Sequence, residues 1–117
     1  MARSWAPEEL SVLLVEEDAA VKEGLVRRLE ADGYEVLVAG DGEEALARAT
    51  ETAPDLIFVD LRSRASQGLR ALERLRRDER TRFTPMVVLS DHDETDLRRR
   101  GLQPGSVDHL IRRQPGS

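Results

Sequence analysis

At 117 residues the chain is long enough for one domain, able to bury about two-thirds of the surface its unfolded form would expose. Hydrophobic residues make up 39% and charged residues 35%, which suits a folded globular protein, and the lack of cysteine excludes disulfides, zinc–thiolate centres and thiol catalysis. The net charge of −5 hides a split: 15 acids stand against 5 bases in residues 1–60, but 8 against 13 in residues 61–117.

An acidic pI near 5.1 speaks against general nucleic-acid binding, and the arginines of the second half read as a solvated face before a local partner surface. No apolar run approaches the roughly 20 residues of a membrane helix, and the start from Met1 to Pro7 lacks the apolar core of a signal peptide. The expectation is a cytoplasmic protein without membrane or direct nucleic-acid partners.

In chain order, Val12 to Val15 reads as a buried strand ending at Glu16-Glu17. Val21, Leu25, Val26 and Leu29 recur at helical spacing until Asp32-Gly33. Tyr34 to Val38 reads as a second strand. Asp41-Gly42-Glu43-Glu44 then resembles a capping box, opening a helix whose apolar face is Ala45, Leu46 and Ala49 and which ends before Pro54. A third strand spans 55–59 and runs into Asp60, and Leu69, Leu72 and Leu75 mark the next helix. Pro85 opens a fourth strand, Met86 to Leu89, followed by Ser90. Asp93 caps a short helix that Gly101 and Pro104-Gly105 terminate, and Val107 to Ile111 forms a fifth strand. Strands alternating with helices predict an α/β fold with a parallel sheet.

That alternation has a chemical consequence. In an open parallel sheet the carboxyl ends of the strands face one crevice, where ligands bind. Glu16, Glu17, Asp60 and Ser90 each follow a strand and would meet there. Carboxylates crowded in this way repel one another, so their convergence makes sense chiefly around a cation.

With these residues placed, the chain resembles the receiver domain of two-component response regulators from Val12 to Arg112. The joint register carries the resemblance: an acidic pair closes strand one, Asp60 closes strand three, and Gly68, Ser90 and Arg112 follow Asp60 by 8, 30 and 52 residues. The stretches Tyr34-Glu35-Val36 and Asp41 to Leu46 are also similar to the family. The resemblance implies a doubly wound five-stranded sheet of order 2-1-3-4-5 with helices on both faces. It also implies that Asp60 accepts a phosphoryl group from a histidine kinase or phosphotransfer protein. Glu16, Glu17 and Asp60 would hold Mg2+, Ser90 and Arg112 would bind the phosphoryl oxygens, and Ser90 with His109 would form the switch to a downstream protein target. On this reading the chain is a signalling module rather than an enzyme, with an extension at 1–10, the receiver at 11–113 and a tail at 114–117.

The chain departs from the family pattern at several positions. Glu17 stands where aspartate is usual, Asp91 where a small residue is usual, and Arg112-Arg113 where lysine and proline are usual. Ser63-Arg64 replaces a methionine–proline pair. Arg62 lies where phosphate lifetime is commonly tuned, and either attracts a phosphodonor or points into solvent. Asp18 either supplements the acidic pair or starts the first helix. The family's fifth helix is expected to be missing, which would leave apolar sheet surface exposed, with Trp5 in the N-terminal segment as a candidate cover.

Two functions remain open: a phosphorelay receiver, and a degenerate receiver that binds protein without phosphorylation. A haloacid-dehalogenase-like phosphatase would need a second aspartate where Arg62 stands, and a flavin or nucleotide enzyme would need a glycine-rich loop after strand one.

Overall fold

The computed structural model describes residues 10–62 and 65–112; Trp5, Ser63, Arg64, Arg113 and the segment 114–117 lie outside them. Among the described residues nine elements alternate: β1 (Ser11–Val15), α1 (Ala19–Ala31), β2 (Glu35–Ala39), α2 (Gly42–Thr52), β3 (Leu56–Asp60), α3 (Ala65–Arg77), β4 (Met86–Ser90), α4 (Glu94–Arg99) and β5 (His109–Arg112). All strand pairs are parallel, and the order is β2-β1-β3-β4-β5, as the alternating pattern and the resemblance led us to expect.

Strand limits shift by a residue or two. β2 starts at Glu35 rather than Tyr34, and β3 and β4 run on through Asp60 and Ser90. β5 begins only at His109, because Asp108 turns its carboxylate back to accept from the Met86 amide at 2.7 Å.

Three of the helices begin with an aspartate that serves as N-cap. Asp18, Asp41 and Asp93 accept from the amides of Val21, Glu44 and Asp96, satisfying donors that a helix start leaves orphaned. In α2 the Glu44 carboxylate reaches back to the Gly40 amide at 2.8 Å, one residue before the N-cap, which makes the box reciprocal. Asp18 is thus a helix cap, the second of its two expected roles. Gly33, with φ of 99°, supplies the left-handed turn that ends α1.

The sheet is covered unequally. One face packs Leu13, Val15, Ile57, Val59, Met86 and Val88 against Leu69, Leu72 and Leu75 of α3, Ala45 and Ala49 of α2 and Leu97 of α4. Among the described residues the other face buries only Val12, Leu14 and Phe58 beneath α1, which has no fully buried residue of its own. On that face Val87 and Leu89 are half-buried and Ile111 is 40% exposed.

At the amino edge of the sheet Arg76 departs from the solvated reading of the arginines. Its guanidinium donates to the carbonyls of Ser106 (2.7 Å), Arg82 (2.6 Å) and Thr84 (3.1 Å), and pairs with Asp108 at 2.7 Å. One side chain therefore ties α3 to the entries of both β4 and β5. Gly68, near the start of α3, packs so tightly that a Cβ there would overlap the side chain of Leu61.

Candidate functional site

Register places the site. Val15 is level with Ala39 and Val59, Asp60 with Leu89, and Ser90 with Arg112. The strand ends therefore bring Glu16, Asp60, Ser90 and Arg112 to one carboxyl edge.

Three of these groups are buried despite being polar: Glu16, Asp60 and Ser90 are 4%, 7% and 0% exposed. Arg112 is exposed at the end of β5. Glu17 is exposed one residue beyond Glu16, yet it lines the same small cleft as Glu16, Asp60, Gly40 and Gly68. The cleft holds about 20 Å³, room for about one water or ion.

Glu16 is strained electrostatically. Its Oε2 accepts from the Asp18 amide at 3.0 Å, but its Oε1 is buried without a hydrogen-bond partner. Burial, and then the neighbouring Asp60 carboxylate, push its pKa up to about 7.

Asp60 lies in the opposite state. Burial works against its charge, but Arg62 outweighs burial and holds the carboxyl below its ordinary value. Arg62 does this with a fork: Nε donates to Oδ1 at 3.0 Å, Nη2 to Oδ2 at 2.9 Å, and its backbone amide to Oδ1 at 2.9 Å. The Arg62 pKa is raised in turn by Asp60 and, less strongly, by Asp91 and Glu16. Neither expected role of Arg62 describes this geometry, since the side chain turns inward onto Asp60. The residue number alone carries no sign of the clasp; the signal was an arginine two residues after a buried strand-terminal acid, a spacing that permits a bidentate return.

Ser90 Oγ accepts from the His92 amide at 2.8 Å and makes no donor bond among the described residues, so its proton is available to an incoming oxygen. His109 is exposed, level with Val87, and lines a cavity of about 170 Å³ with Glu94 and Leu102. It does not join the Ser90–Arg112 pair, which lies three residues further along the strand.

The donor set fits a divalent cation in part. An orphaned carboxylate oxygen on Glu16, the adjacent Asp60 carboxylate and an ion-sized cleft suit a hard ion that takes one or two carboxylates and completes its shell with water. Among the described residues no group of three histidine or acidic side chains converges closely enough to ligate one ion as they stand. The expected triad of Glu16, Glu17 and Asp60 thus shares a cleft without forming a closed ligand cage.

The model of the response regulator receiver domain family matches residues 12–115. Among curated proteins, the transcriptional regulatory protein PrrA of Mycobacterium leprae is 39% identical over 101 residues, covering 86% of this chain and 42% of PrrA. The phosphate regulon transcriptional regulatory protein PhoB of Pseudomonas aeruginosa is 32% identical over 102 residues, covering 87% of this chain and 44% of PhoB. The chain thus spans less than half the length of these relatives. Among solved structures, the chemotaxis protein CheY4 of Vibrio cholerae superposes with a TM-score of 0.75 at 26% identity, covering 93% of this chain and 89% of its own. The receiver domain of the sensor histidine kinase PA1611 from Pseudomonas aeruginosa, with a magnesium ion in its active-site cleft, gives a TM-score of 0.76 at 26% identity. That match covers 93% of this chain and 88% of the receiver. No helix among the described residues is long and apolar enough to cross a membrane.

Proposed function

The chain belongs to the response regulator receiver domain family of two-component systems, and on that premise we propose that it accepts a phosphoryl group on Asp60. The observation that carries this reading is the strand register. It sets a buried, ionised carboxylate level with the end of β4 and leaves a hydroxyl and an arginine level with each other beside it.

The transfer we assign is from a phosphohistidine of a kinase or phosphotransfer protein. An Asp60 oxygen forms a bond to phosphorus as the phosphorus–nitrogen bond breaks and its electron pair leaves with the imidazole. Glu16 and Asp60, with Glu17 bordering the cleft, would hold a divalent cation such as Mg2+, which supplies the charge neutralisation that an anion attacking an anion requires. The Ser90 hydroxyl donates to one phosphoryl oxygen, and Arg112 reaches another with up to two donors. The product carries close to two negative charges, enough to redirect Ser90 and the β4–α4 loop. His109, on the neighbouring strand, would report that shift to a downstream protein. We take 11–113 as the receiver unit, flanked by an extension and a short tail.

A second reading has one specific observation in its favour: the Arg62 fork already neutralises Asp60. On that reading the chain binds a protein partner without phosphorylation.

Intact mass after incubation with a small phosphodonor and Mg2+ separates the two. One added phosphoryl group on the parent, absent from Asp60→Asn, is the result the phosphorelay reading requires. No addition from either a small donor or a phosphorylated kinase, on folded protein, leaves the second reading standing.

A further inference from the structure

The clasp on Asp60 has a chemical cost for the acceptor. Oδ1 takes two donors and Oδ2 one, all from Arg62, and the Asp60 side chain is 1% exposed while that of Arg62 is 20% exposed. A carboxylate that attacks phosphorus needs one oxygen for the nucleophile and the other for a cation. Arg62 holds both. A guanidinium and a divalent ion bring like charge to the same small anion, so close binding of one disfavours the other.

Asp91 and Glu16 also act on the guanidinium, but less strongly than Asp60, so the fork on Asp60 is its main anchor. Glu16 Oε1 is buried and unpartnered beside Asp60, an arrangement that rewards a cation in the cleft. The site therefore offers Asp60 two partners that exclude one another: the arginine that holds it here, or a cation between Glu16 and Asp60.

We propose that Arg62 is a built-in counter-ion that competes with a divalent cation for Asp60, so that the acceptor opens only when the guanidinium is displaced. This rests on reading Asp60 as the acceptor. Arg62 is a positioning residue here, since it acts by holding Asp60 and touches no phosphoryl group in the closed arrangement. Cation affinity is accordingly a property of the pair, set by how easily the fork lets go.

The test is calorimetric titration of Mg2+ into chelator-treated parent, Arg62→Gln and Arg62→Lys proteins, each first shown to be folded by thermal melting. Arg62→Gln should bind Mg2+ about tenfold more tightly than the parent, and Arg62→Lys should fall between, because lysine keeps the charge but loses the planar fork. Nitrogen-detected resonances of arginine Nε groups give an independent reading on the parent alone, where the Arg62 signal should move in step with Mg2+. Equal or weaker affinity in Arg62→Gln, an Arg62 resonance indifferent to saturating Mg2+, or no Mg2+ binding by any of the proteins would each overturn the proposal. Intact-mass phosphorylation of the same samples keeps the two readings apart. Phosphoryl uptake with equal affinities removes the latch and leaves the receiver, whereas a tenfold gap without uptake leaves the latch and removes the acceptor.

Discussion

Each edge of the sheet carries a partly buried arginine–aspartate pair, and the two are finished differently. At the amino edge Arg76 satisfies three carbonyls as well as Asp108, and Asp108 also accepts from the Met86 amide. At the carboxyl edge Arg62 spends its fork on Asp60, while the neighbouring Glu16 keeps an oxygen buried without a partner. In both pairs the carboxyl is held below its ordinary value. A network with every member satisfied fixes the chain in one arrangement, whereas one left incomplete keeps a second arrangement within reach. The first edge holds the fold together, and the second is where chemistry belongs.

Removing Arg76 gives the harshest test of this contrast. Arg76→Ala should destabilise the fold by about 3–4 kcal/mol in chemical denaturation, because three carbonyls and Asp108 lose their donor together. The Asp108 carboxyl is depressed by the Met86 amide and, against the opposing effect of burial, by Arg76. Its contribution is therefore present above the ordinary carboxylate range and lost as pH falls through its depressed value, so the Arg76→Ala deficit should shrink in acid. A deficit below about 1 kcal/mol at neutral pH would place Arg76 with the exposed arginines.

Glu16 should behave in the opposite sense. Its pKa is raised from 4.5 to about 7, so its contribution is complete below the lower value and lost as pH rises through the upper one. In chelated protein, Glu16→Gln should be the more stable form by about 2–3 kcal/mol at pH 8, with the gap closing towards pH 5. A pH-independent gap would mean that the carboxyl is not strained by ionisation.

Gly68→Ala should cost about 1–2 kcal/mol, since the new methyl group forces Leu61 aside just behind the acceptor. The cap variants Asp41→Ala and Asp93→Ala should each cost about 1 kcal/mol and leave both edges otherwise unchanged. Thermal melts read all three, and a larger loss at a cap than at Arg76 would reverse the ranking of the edges.

The sequence disclosed what depends on local pattern. Five apolar runs, the aspartate caps and the glycine stops are short-range signals, and the strand order followed from them together with the family resemblance. Asp60, Glu16 and Ser90 could be placed at one edge because each directly follows a buried run. Arg62 and Arg76 could not be placed in the same way, because their roles depend on how a side chain returns across a loop. A faint signal existed for Arg76. It follows Leu69 and Leu72 by seven and four residues, which puts it on the apolar stripe of α3 rather than with Arg74 and Arg77. Glu17 lies beside Glu16 in sequence but not in environment, since the chain leaves the pleat at Glu16 and one residue carries it to the exposed side of the cleft.

The central claim is that the carboxyl edge is a reaction site whose nucleophile is Asp60. Its most direct test is to map the label: phosphorylated protein is reduced with borohydride, which turns an aspartyl phosphate into homoserine, and the peptides are sequenced by mass spectrometry. The account predicts homoserine at position 60 and nowhere else. Homoserine at Asp18 or Asp91 in place of Asp60, 5-hydroxynorvaline at Glu17, or an unmodified chain after donor treatment that leaves it folded, would contradict it.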